Sequence, residues 1–128
     1  MNTVQYLRDK VSKFIVPLGV TSHLKSWGVS EEKMIELDWW KSTSFDQVTF
    51  TSTPAQHFSG RHGLFNTSQT LWSSWVVQSA DVSFYFSGDS GYDVHYKQIG
   101  DKFGPIDLVF IDSGQYNVRW QEVHNLPE

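Results

Sequence analysis

The sequence predicts one mixed α/β domain, of the α+β kind, spanning residues 1–128. Its length of 128 residues falls in the usual single-domain range. Helix-period segments lie toward the start and again toward the end, with several consecutive strand-like segments between them. No internal repeat, low-complexity tract or linker interrupts that order.

Val4, Leu7 and Val11 share one face at helical spacing, so a short amphipathic helix is expected to open the chain. "KFIVP" then reads as a brief apolar strand stopped by Pro17. "GVTSHLKSWG" reads as a second helix, with Gly28 placed to end it. "KMIELDWW" is expected to be a strand running into paired tryptophans, and "FDQVTFTST" a single half-buried strand. "LWSSWVVQ" and "VSFYFSG" are two further strands whose short "SAD" connection suggests a hairpin. Antiparallel pairing is expected among the strands around Val48, Trp75 and Phe84. Tyr92, His95, Tyr96, Ile99 and Phe103 share a helical face that Gly104 and Pro105 close. "IDLVFI" is almost wholly apolar, which predicts a strand covered on both faces.

Composition narrows the function classes. The formal charge is -4 and no basic cluster occurs, which argues against a nucleic-acid surface. Without cysteine there is neither a disulfide nor a thiolate metal site. No apolar run approaches the ~18 residues of a membrane span. The start, "MNTVQYLRDKV", has no apolar signal core, which points to the cytoplasm. Aromatic residues make up 16% of the chain, so a ring-rich core or cleft is expected.

The groups that could carry chemistry each allow two readings. His57, directly after a predicted strand in "TPAQHFSGRHG", is either a metal ligand or an ordinary strand-end polar residue. Asp89 in "FSGDSGY" stands where a strand meets a glycine-flanked turn, which suits a site carboxylate and suits a helix cap equally. His124 in "EVHNLPE" is a site candidate or an exposed residue near a helix start. His95 is expected to pack on its helix, and His23 and His62 to be exposed. HExxH, GxSxG and the phosphate-binding GxxxxGK[ST] are all absent.

Taken together, "TPAQHFSGR", "LWSSWVV", "FYFSGDSGYD", "IGDKFGPIDLVFI" and "GQYNVRW...HNLPE" resemble one branch of the metallo-β-lactamase superfamily. That branch contains N-acyl-phosphatidylethanolamine-hydrolysing phospholipase D and many bacterial metal-dependent hydrolases. The resemblance runs from about Lys13 to Glu128 and implies part of an αββα sandwich. It also implies His57 as a zinc ligand, Asp89 as a carboxylate bridging two metals with a part in catalysis, and His124 as a catalytic, substrate-contacting residue beside them. The implied substrate is a small ester, lactone or phosphodiester.

The chain departs from the family pattern as well. HxHxDH, expected before the opening helix, does not occur, and the final metal histidine is expected after Glu128. Asp112, Gln115 and Val118 stand where the phospholipase branch has apolar, alanine and proline residues. The expectation is therefore a partial sandwich, cut at both ends, that holds zinc weakly or not at all. Uncovered apolar strand surface, including Val109 and Phe110, is expected to favour a homo-oligomer. A non-catalytic domain acting through association or ligand binding is the alternative.

Overall fold

The computed structural model describes residues 2–57 and 70–114, together with Arg119, Glu122, His124 and Asn125. Helix α1 (Asn2–Leu7) is followed by β1 (Phe14–Pro17), α2 (Thr21–Ser26), a 3₁₀ turn (Glu31–Lys33) and β2 (Met34–Leu37). Then come β3 (Ser42–Phe45), β4 (Val48–Pro54), β5 (Ser73–Gln78), β6 (Ser83–Phe86), α3 (His95–Phe103) and β7 (Leu108–Phe110). Strands β1 and β2 pair in parallel, and the other five form a sheet of order β3-β4-β5-β6-β7. Mixed helices and strands in two sheets match the fold class read from sequence.

The first unit, β1-α2-β2, is held by local chemistry. Gly28 adopts φ 84°, a left-handed conformation that costs little without a Cβ. Its N–H donates to Lys25 O at 3.0 Å, and that of Val29 to Leu24 O at 3.1 Å. This is the Schellman arrangement, and Leu24 and Val29, both buried, make its apolar contact. At the other end of α2, Glu36 from β2 acts as the cap. Its Oε1 accepts the Gly19 N–H at 2.8 Å, the Thr21 N–H at 3.1 Å and the Thr21 hydroxyl at 2.6 Å.

Several sequence expectations need correction here. Val11 lies outside α1, which ends at Leu7. Trp39 and Trp40 are not in a strand; Trp40 has φ 65° and turns the chain into β3. "FDQVTFTST" is a hairpin rather than one strand, because Asp46 (φ 51°) and Gln47 (φ 64°) form a two-residue turn between β3 and β4. Both central residues have positive φ, as in a type I′ turn, but the pair lacks the usual Asn-Gly or Asp-Gly signature. Tyr92 precedes α3 and is exposed, although its ring still stacks on Tyr96.

The antiparallel succession β4-β5-β6 is as expected from sequence. Its register sorts the two faces of the sheet. Thr51, Thr53, Ser74, Val76, Ser83 and Tyr85 share one face, and all are buried. Helix α3 packs there: Ile99 joins Val76 and Tyr85, with Trp40, Tyr96, Phe103 and Ile106 around them. Small hydroxyl side chains bond one another beneath the helix, as in the 2.7 Å contact between Thr53 and Ser74. His95 is buried at the start of α3, as its pattern predicted.

The opposite face carries Phe50, Trp75, Phe84 and Phe86, and β7 extends it with Leu108 and Phe110. Sequence reading placed β7 under cover on both faces, and the structure corrects this. Leu108, Val109 and Phe110 are all about half exposed, at 51%, 47% and 49%. Strand β7 is the edge of this sheet among the described residues.

Candidate metal centre

Strand direction builds the site. Because β5 is antiparallel to both β4 and β6, these two run the same way, and β7 is parallel to β6. The carboxyl ends of β4, β6 and β7 therefore open onto one edge of the sheet, the usual place for ligand-binding residues. His57 follows β4, Asp89 follows β6 and Asp112 follows β7.

Backbone contacts lock these ends together. Gln56 and Gly91 form a bridge in which the Gly91 N–H donates to Gln56 O at 3.0 Å. The Gln56 N–H donates to Ser90 Oγ at 3.0 Å. Ser90 also lies 3.3 Å from His95 Nε2, so α3 supports the Asp89 turn from beneath. Burial pushes the His95 imidazole toward its neutral form, against the opposing influence of Asp93. Gly88, at φ 60°, supplies the sharp turn that precedes Asp89. Asp89 does not cap α3; Val94 occupies the N-cap position.

Asp89, Asp112 and His124 form the one group among the described residues whose potential ligand atoms all lie within 4.8 Å of one another. Asp89 is exposed, while Asp112 and His124 are half-buried. His124 Nδ1 lies 2.6 Å from Asp112 Oδ2. His57 stands beside this group: its ring meets that of His124 edge-on at 5.4 Å and stacks on Trp72 at 4.4 Å. Trp72 in turn donates its indole N–H to Asp89 O at 2.7 Å.

The structure thus gathers His57, Asp89 and His124 in one place, and adds a residue that sequence reading took only as a departure from the phospholipase pattern. Asp112 carries the same signal as Asp89, a carboxylate just after an apolar strand and close to a glycine. His95 is core rather than site, His23 stacks on Trp27 at 6.0 Å, and His62 lies outside the described residues.

Two carboxylates and an imidazole are a donor set suited to zinc or a similar divalent ion. Ligand atoms at about 2.0–2.2 Å from one tetrahedral ion lie about 3.3–3.6 Å apart. The three atoms lie within 4.8 Å of one another, so side-chain movement of about an ångström would bring the widest pair to that spacing. The residues fit a metal.

The family model described as "Beta-lactamase superfamily domain" matches residues 1–128. The chain belongs to that family. An uncharacterized protein of Mycobacterium tuberculosis is 46% identical over 115 residues, covering 90% of this chain and 30% of that protein. N-acyl-phosphatidylethanolamine-hydrolyzing phospholipase D 1 of Caenorhabditis elegans is 40% identical over 116 residues, covering 84% of this chain and 32% of the other. Among solved structures, CmlA, a diiron beta-hydroxylase from Streptomyces venezuelae, superposes with TM-score 0.64 at 21% identity. That match covers 95% of this chain and 25% of CmlA, and it supports the fold alone. The chain spans about 30% of the length of these mycobacterial and nematode relatives. It has the metallo-β-lactamase fold of a hydrolase superfamily and resembles the phospholipase D branch.

Proposed function

We propose that this chain contributes part of a binuclear zinc site of a hydrolase acting on a phosphodiester, lactone or related ester. The convergence of Asp89, Asp112 and His124, with His57 against the His124 ring, carries the reading. His57 and Asp89 would hold metal, Asp89 as the bridging carboxylate, and His124 would face the substrate. The chemistry such an ion would supply is a bound water with its pKa lowered toward ~7 and a polarised ester oxygen. The chain's own residues do the rest. Trp72 stacks on His57 and limits its ring to one plane, while its indole N–H anchors the Asp89 backbone. His124 presents an imidazole beside both carboxylates.

The 128 residues contain no HxHxDH, so we read this chain as a partial site with weak metal affinity. Calorimetric titration of the purified chain with zinc should give substoichiometric, chelator-reversible binding that His57→Ala and Asp89→Ala each reduce. No hydrolysis of a chromogenic phosphodiester above background is expected. Zinc binding unaffected by either substitution would overturn the site assignment; a pair of tightly held ions per chain would overturn the partial-site reading.

Self-association in the cytoplasm is the second part of the reading. It is favoured by the half-exposed strip of Phe86, Leu108 and Phe110 near a sheet edge that no strand pairs among the described residues. If zinc binding fails altogether, this association is the reading that remains, with a non-catalytic role for the chain.

A further inference from the structure

We propose that Asp112 is the positioning residue of His124: it holds the imidazole by Nδ1–H and leaves Nε2 as the ring nitrogen available to the site. This deepens the hydrolase reading, and rests on it only for what Nε2 then meets.

Independent contacts fix Asp112 before it reaches the histidine. Its own N–H donates to Ser87 Oγ at 2.8 Å, tying the end of β7 to the end of β6. Ser87 is itself buried, and its N–H donates to Phe110 O at 2.9 Å. The Gly114 N–H donates to Asp112 Oδ1 at 2.8 Å, which sets the plane of the carboxylate. Oδ2 is then directed at His124 Nδ1, 2.6 Å away. The two carboxylate oxygens have separate tasks, one for the turn and one for the ring.

Gly114 fixes the ring from another side. A Cβ on that residue would lie 2.7 Å from His124 Cγ and 2.8 Å from its Cβ and Nδ1. The imidazole therefore lies directly on main chain, in a space that only glycine leaves open. Asp112 is also the more buried partner, with a side-chain exposure of 14% against 24% for His124. Partial burial strengthens a charge-assisted hydrogen bond and lowers the number of orientations open to the ring.

This arrangement separates the two carboxylates near His124. A nitrogen that donates its proton to Asp112 cannot at the same time offer a lone pair to a metal. Asp112 therefore acts through the histidine, as a carboxylate does behind a metal-site imidazole. Asp89, which has no such bond to the ring among the described contacts, is left as the carboxylate facing solvent and metal.

Long-range ¹H–¹⁵N spectra of the ¹⁵N-labelled chain at pH ~8, above the ordinary histidine range, test this directly. His124 should show one tautomer, protonated at Nδ1. Asp112→Leu should convert it to a mixture with a large Nε2–H fraction, and Asp112→Glu should restore Nδ1–H. The buried His95 serves as the fold control, its signals remaining unchanged. Wild-type protein with His124 protonated at Nε2, or Nδ1–H persisting in Asp112→Leu, would overturn the proposal. The wild-type spectrum decides the matter even if Asp112→Leu does not fold. Absence of zinc binding in wild type would count against the hydrolase reading and leave the tautomer result, which alone decides the role of Asp112.

Discussion

Trp72 donates its indole N–H to the main-chain carbonyl of Asp89 at 2.7 Å while its ring stacks on His57 at 4.4 Å. One side chain just before β5 therefore braces residues that follow β4 and β6. Trp72→Phe retains a ring for the stack but loses the donor; Trp72→Ala loses both. Zinc affinity should fall by about 10-fold in the first variant and toward 100-fold in the second, the usual range for groups that support ligands. Competition against a chelator of known affinity measures this, and equal affinities in all three proteins would remove the brace.

Gly28→Ala should destabilise the chain by about 1–2 kcal/mol, because an L-residue at φ 84° carries the left-handed penalty. The added Cβ would also come within 2.6 Å of Arg8 Nη1, a flexible group that can move. Urea unfolding reads the shift, and Gly28→Asn, which tolerates this conformation better, should lose less.

Ile99→Ala should cost about 2–5 kcal/mol, since Ile99 is 2% exposed between Val76 and Tyr85. Val82→Ala, at a site 51% exposed, should change stability by no more than about 0.5 kcal/mol. Comparable losses in both would mean that α3 does not form the core described.

Stability should weaken in two steps on acidification. Burial holds His95 below the ordinary histidine value, so the unfolded chain binds more protons over the window from about 6.5 downward. Its contribution is full above that value and is lost as pH falls toward the folded one, at no more than about 1.4 kcal/mol per pH unit. Glu36 titrates lower: burial opposes its ionisation, but hydrogen bonds from Thr21 and Gly19 outweigh it and hold the carboxyl below its usual range. Its contribution is present above the unfolded value of about 4.3 and lost as pH falls through the folded value. His95→Gln should flatten the upper window alone, as seen in urea midpoints across pH. An unchanged slope there would contradict a buried neutral His95.

Phe110→Lys should shift any self-association toward monomer by about 10–100-fold, the equivalent of losing one buried aromatic contact. Sedimentation across a concentration series measures it. Wild-type protein that stays monomeric throughout would eliminate the associating edge.

The sequence by itself determined the class of fold and most of its elements. Their signals are local: the glycine after α2, the alternation in β5 and β6, and the apolar stripe of α3 are all set by near neighbours. It also marked His57, Asp89 and His124 as residues at element ends. Only tertiary structure decided that the ends of β4, β6 and β7 share one edge, because strand order and direction are properties of pairing across long separations. The hairpin at Asp46 and Gln47 was hidden because the pair lacks the glycine that normally marks a two-residue turn with positive φ at both positions. The apolar run of β7 could not reveal its own exposure, since hydrophobicity records what a strand can bury and its neighbours decide what it does bury. Asp112 was legible as a carboxylate after a strand, but its hold on His124 depends on a 2.6 Å contact created by the fold.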